Sequence, residues 1–175
     1  MANTNTSLIT TLDSTDGADQ FVSPLQTGGR VRVAAGSVTV TGTNFAANDD
    51  TIVLCRLPHN ACILSLKIAA DDMDNGSHSI VNLGVYPAGV TAAASAVNED
   101  CYGTLLTDFQ SITAYTEFRF ETLTHGTINN RMWQDAGLSS DPGPRQYDIV
   151  MTQTAGVGSP IAAPVVSFII QYVVD

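Results

Sequence analysis

The stretch LCRLPHNACILSLKI, residues 54–68, carries two of the three cysteines, one of the three histidines and the single lysine of the chain. It reads either as a metal or catalytic cluster, Cys55-His59-Cys62, or as a turn between two buried strands. Strand alternation favours the turn: Val53, Cys55 and Leu57 share one face of a strand, and Cys62, Leu64, Leu66 and Ile68 share one face of the next. Each cysteine then occupies a core position, where a thiol packs as a small hydrophobe. Zinc requires four tetrahedral ligands, and a C-x6-C spacing with one histidine between lacks the second half-site. A cysteine nucleophile needs a base and a third orienting group, and none can be named. Pro58-His59-Asn60 is therefore expected as an exposed turn, with Lys67 on the face opposite Leu66 and Ile68.

Outward from this pair of strands the pattern is β throughout. RVRVAAGSVTVTG, from Arg30, alternates and is interrupted by Ala-Ala-Gly, which predicts two strand pieces around a bulge or bend. HSIVNLGVY, CYGTLLTDF, TEFRFETL, QYDIVMTQT and VVSFIIQYVV follow as β-branched and apolar runs, separated by turn-forming segments such as DDMDNGS. In TEFRFETL, Phe118 and Phe120 point one way and Glu117, Arg119 and Glu121 the other, giving one core face and one solvent face. VVSFIIQYVV is apolar on both sides, as suits a central strand or one covered by another subunit. The segment 91–101, TAAASAVNEDC, fits a short helix or a crossing loop equally well. Seven to nine strands without an amphipathic helix predict an all-β chain: a single β-sandwich of jelly-roll type spanning 30–175. Residues 1–29, rich in Thr, Ser, Asn, Asp and Gly, show no period and are expected as an extended N-terminal arm. HGTINNRMWQDAGLSSDPGPRQ, residues 125–146, reads as a long irregular loop, a length that usually signals contact or function.

With 175 residues, 44% hydrophobic and 14% charged, the chain is sized for one domain that buries about 70% of its unfolded surface. No apolar run reaches the ~18 residues of a membrane span. Seventeen acidic against seven basic residues give a net charge of −10, which repels polyanions, so neither nucleic acid nor membrane is expected as a partner. The first residues show no basic and apolar regions of a secretory signal, so synthesis in a reducing cytoplasm with free thiols is expected.

Other chemical readings are weak. Aligning Gly76 of DDMDNGSH (71–78) with the sixth position of a calcium loop puts Met73 and Asn82 on two ligand positions. No G-x-S-x-G, P-loop, dinucleotide fingerprint or H-E-x-x-H occurs. Glu117 and Glu121 would lie on one exposed strand face, as solvent-facing carboxylates do, and Glu99 with Asp100 offers no better pair. A cupin-type metal enzyme would need clustered histidines, whereas those present stand at 59, 78 and 125. No cofactor, no metal and no enzymatic activity are expected. Trp133 with Tyr102, Tyr115 and Tyr147 could form a sugar-stacking platform, which would make a carbohydrate-binding module the alternative, although packing under the long loop or against a neighbour is the plainer reading.

Residues 28–89 carry a family resemblance: a first strand after Gly28-Gly29, a strand ending Leu57-Pro58, the next opening Asn60-Ala61, an acidic turn, and Leu83-Gly84-Val85-Tyr86. A closing strand ending Tyr172-Val173-Val174 completes it. This pattern resembles virion structural proteins of tailed bacteriophages, of the capsid decoration or cement type. The resemblance implies a non-enzymatic structural protein on the capsid surface, a homotrimer, with the major capsid protein as its partner. Under that reading the candidate contacts are the arm, with Leu8, Ile9, Leu12, Phe21, Val22 and Leu25, and the 125–146 loop, with Arg131 and Trp133. Low charge density suits broad subunit contacts.

Overall fold

The computed structural model describes residues 30–40, 45–73, 80–90, 98–107, 109, 112–119, 124, 126–155 and 162–174. The arm residues 1–29, with Leu8, Ile9, Leu12, Phe21, Val22 and Leu25, lie outside them, as do 91–97 and most of 71–78. Eight strands are present: β1 (Val31–Thr39), β2 (Thr51–Pro58), β3 (Ala61–Ala70), β4 (Ile80–Pro87), β5 (Asn98–Leu106), β6 (Ile112–Glu117), β7 (Gln146–Ala155) and β8 (Val165–Val174). One four-residue helix, α1 (Met132–Asp135), interrupts the loop between β6 and β7.

The strands form two four-stranded sheets, β1-β8-β3-β6 and β2-β7-β4-β5, with antiparallel pairing throughout. The pairs β1–β8, β2–β7, β3–β6 and β4–β5 are the nested rungs of one long hairpin. Rolling it up adds the β8–β3 and β7–β4 pairings. That is the jelly roll expected from the sequence.

Alternation explains the core. Tyr147, Ile149 and Met151 of β7 face Val166, Phe168 and Ile170 of β8 across the sandwich, joined by Val81, Leu83 and Val85 of β4 and by Ala61, Ile63, Leu66, Ile68 and Ala70 of β3. Each large aliphatic chain enclosed there contributes about 1.5–3 kcal/mol relative to exposure. β8 is the central strand of its sheet, as its two-sided apolar pattern suggested. Phe109 and Phe118 stack at 5.4 Å near the β5–β6 side.

Four sequence expectations are corrected. β1 is one unbroken strand in register with β8 from Val31↔Val173 to Thr39↔Val165. Its Gly36 makes room for a neighbour rather than a bend: a Cβ there would stand 3.1 Å from the Phe168 ring. Second, bulges break the simple alternation of the opening stretch, between Val53 and Cys55 in β2 and between Ile63 and Ser65 in β3. An extra residue reverses the facing beyond it. Ile52, Leu54 and Leu57 are therefore buried while Val53 is exposed. Cys55 packs against the core, but Cys62 is buried on the outer side of its sheet, beside Val173 and beneath the Ile128 carbonyl, 3.8 Å from its Sγ. Third, β6 ends at Glu117 and Arg119 is buried, not solvated. Fourth, residues 98–101 of the segment left open between helix and loop open β5 as a strand.

Candidate interaction surface

Pro58-His59-Asn60 is the expected turn, yet His59 is not simply exposed. Its backbone N–H donates to the Arg145 carbonyl at 2.9 Å, its carbonyl accepts from Trp133 N–H at 3.3 Å, and its Nε2 lies 3.4 Å from Asp141 Oδ1. The long loop is thus fastened to the β2–β3 turn, which occupies the histidine. Burial, reinforced by the nearby Asp148 carboxylate, pushes the Cys55 thiol up to about 12, so it is protonated at neutral pH and a poor nucleophile or metal ligand. All three cysteines are free thiols. Among the described residues no three His, Cys, Asp or Glu side chains are placed to hold a metal ion. Asp71, from the suspected calcium turn, instead accepts from Val165 N–H at 3.0 Å, and Met73 is part of the core.

Trp133 and Arg131 sit on and before α1. Trp133 packs against the core, and its buried Nε1 has no hydrogen-bond partner among the described residues. Arg131 is half-buried, and its backbone N–H donates to Gln134 Oε1 at 2.9 Å, which starts the helix. Tyr102 and Tyr147 are buried, leaving Tyr115 as the exposed tyrosine of the suggested platform. The four aromatics therefore form no common stacking surface, and the carbohydrate reading loses the feature that motivated it.

What α1 does build is a buried polar knot between β5, β6 and the loop. Arg119, 2% exposed, places Nη2 3.3 Å from Asp135 Oδ2 and its Cζ 5.2 Å from the Tyr102 ring centroid. It also donates to the carbonyls of Ile63 and Thr127, both at 3.4 Å. Tyr102 donates to Asp135 Oδ2 at 2.8 Å, and Asn98 Nδ2 to the Asp135 carbonyl at 2.8 Å. Burial raises the Asp135 carboxyl above its ordinary value despite Arg119 and Tyr102, which pull it down, and pushes the Cys101 thiol and Tyr102 hydroxyl well up. A cleft of about 270 Å³ opens beside this knot, between Asn98, Cys101, Asn130 and Gln134. Its polar groups are engaged with one another, so the arrangement reads as a structural seal. No local signal marked it, because Arg119 and Asp135 are far apart in sequence and each sits in a stretch that looks solvent-facing.

A second rivet lies on the outer side of β2-β7-β4-β5. Asp148, 1% exposed at its side chain, accepts from Arg56 Nε and Nη2 at 2.6 and 2.9 Å and from Gly89 N–H at 2.9 Å. Burial would raise its carboxyl, but these donors prevail and hold it below the usual range. Beside it, the Tyr86 and Thr152 hydroxyls lie 2.6 Å apart, both buried.

The outer side of β1-β8-β3-β6 is different. Val31 and Val33 are 56% and 60% exposed, and Tyr115 is 49% exposed. Between them stand Val165, Ser167 and Ile169 of β8 and Ala69 of β3, all half-buried. Lys67 is exposed and registers with Glu117, whose carboxylate turns back to accept from Leu66 and Arg119 N–H at 2.8 and 2.9 Å and bonds Ser65 Oγ. Among the described residues this face thus combines exposed valines with small side chains, Gln171 and Lys67.

No protein-family model matches the chain, and no curated protein matches it. Solved structures share its fold. A chain of the capsid of Ralstonia phage GP4 superposes with a TM-score of 0.63 at 18% identity, over 84% of this chain and 86% of that one. A chain of the cyanophage Pam1 capsid asymmetric unit does so with a TM-score of 0.51 at 22% identity, over 85% and 87%. At these identities the likeness is one of fold, and it extends over nearly the whole jelly roll.

Proposed function

We propose that this chain is a structural protein of a tailed-bacteriophage virion, with no enzymatic role, that decorates and stabilises the capsid. The observation that carries this reading is the shared fold with chains of two phage capsids, which agrees with the resemblance in residues 28–89 and 172–174. In this reading the chain divides into an arm, 1–29, and a jelly-roll body, 30–175. The body associates as a trimer on the capsid surface, and the arm reaches over adjacent major capsid subunits through Leu8, Ile9, Leu12, Phe21, Val22 and Leu25. The loop around Arg131 and Trp133 adds subunit contact. Binding across a subunit boundary stabilises the shell by mass action, because the assembled form binds the protein and the separated subunits do not. The acidic charge keeps the protein soluble before assembly and off the packaged genome.

Deleting residues 2–26 and measuring sedimentation with preassembled shells tests the arm. A loss of binding of at least ~10-fold, the effect of removing roughly 1.4 kcal/mol of contact, is expected. Undiminished binding would remove the arm from the mechanism.

A further inference from the structure

We infer that the outer face of the β1-β8-β3-β6 sheet is where copies of this chain meet, an inference that rests on the self-association proposed above and assigns it a surface. Charge argues first. Two copies, each at −10, repel one another over most of their surfaces. Among the described residues of this sheet, the charged side chains in outward register are Lys67 and Glu117, of opposite sign, with Asp71 beyond the end of β3 at one margin of the face. The other sheet carries Arg56 over buried Asp148 and Glu99 beside Asn82 on its outer side. Interface centres are depleted in charge, and the outward rows of β1 and β8 on this face carry none.

Exposure argues second. Val31 and Val33 are more than half exposed, and the outward row Val31–Val173–Cys62 continues into Ile128 of the loop, itself 57% exposed. Apolar side chains from β1, β8, β6 and the loop therefore adjoin rather than scatter, and contiguous patches of this kind mark contact sites. Area argues third. Four strands at ~4.8 Å spacing and about ten residues at ~3.3 Å each cover roughly 500 Å² in projection. Side-chain relief and the loop bring this toward the ~800 Å² per partner of a stable interface. A nucleic acid or an anionic lipid surface finds no net positive charge here, so a second copy is the occupant the chemistry favours.

The test compares the full chain with V33E/I169E, which sets carboxylates in the middle of the face, and with V53E on the outer side of the other sheet. Light scattering over a concentration series should find the parent chain and V53E multimeric. V33E/I169E should be monomeric, or at least ~100-fold weaker in association, with its circular dichroism unchanged. A parent chain that stays monomeric, or a V33E/I169E variant with the parent's mass, would overturn the inference. Should V33E/I169E fail to fold, V33C decides: cross-linking between copies above both the parent and V53C supports the face, and no excess over either sinks it. A multimeric parent chain that does not bind preassembled shells would count against the capsid reading and leave this surface standing.

Discussion

The two flanks of the sandwich have the same architecture, an edge strand from each sheet, and opposite finishes. On the β5–β6 flank, Arg119, Asp135 and Tyr102 form a buried charged knot under α1, and the backbone of β5 presses so closely on β4 that a Cβ on Gly84 would stand 2.2 Å from Asn98 and Glu99 main-chain atoms. On the other flank, among the described residues, β1 pairs with β8 alone, without a bulge or a proline, and most of its side chains are exposed, Arg32 being its one charge. Natural proteins usually blunt such an edge with charge, bulges or a covering segment. The difference is that one flank is finished by buried polar contacts and the other, among the described residues, is not.

The sharpest way to break this comparison is Arg119→Ala. It leaves Asp135 buried without its cation and takes one donor from each of the Ile63 and Thr127 carbonyls, so urea denaturation should show a loss of about 3–5 kcal/mol. A loss under ~1 kcal/mol would mean that the knot does not hold the flank. Next, Gly84 and Gly36, both close-packed, should diverge. Gly84→Ala drives a methyl into backbone that cannot move aside and is expected to cost about 3 kcal/mol. Gly36→Ala meets only the tip of the Phe168 ring on an exposed edge and should cost less than ~1 kcal/mol. Equal costs would erase the contrast.

The carboxylates give a pH signature. Asp148 is held low in the folded protein, so its stabilisation is complete above the ordinary carboxylate value of ~4 and disappears as pH falls through the folded value. Asp135 is raised, so the folded state takes up a proton before the unfolded one, and acidification from neutral down to ~4 should increase stability. Thermal melts between pH 3 and 7 should rise and then fall. D135N should remove the rise, and D148N the part of the fall that this carboxylate causes. The smallest effect belongs to the open flank: Val33→Thr should change the stability of the monomer by less than ~0.5 kcal/mol.

Much of this was legible in the sequence. The strand runs and the turn at Pro58-His59-Asn60 follow from alternation and turn chemistry, because period 2 is a local property. Facing was lost where one residue was inserted. The bulges beside Leu54 and Leu64 left Cys55 against the core but moved Cys62 out from between the sheets to beneath the loop, and composition alone does not reveal a bulge. Burial of Arg119 was hidden for another reason: its partner Asp135 lies on a loop helix and its ring neighbour Tyr102 on the other sheet, so the compensation is tertiary. The open outer face was partly visible in VVSFIIQYVV, whose two-sided apolar pattern allowed either a central strand or subunit cover.

The position of β8 also governs how the chain can be made. It is the last strand in sequence and the middle strand of its sheet, inserted between β1 and β3. Until residues 165–174 emerge from the ribosome, β1 lacks a neighbour among the described strands and β3 has β6 alone of them. Formation of the first sheet must therefore follow synthesis of the last strand. Such long-range closure belongs to the slow end of domain folding, on the order of milliseconds to seconds. A message truncated before Val165 would yield a chain with half of its sandwich already paired and the other half unable to assemble, a substrate for proteolysis rather than a shortened subunit.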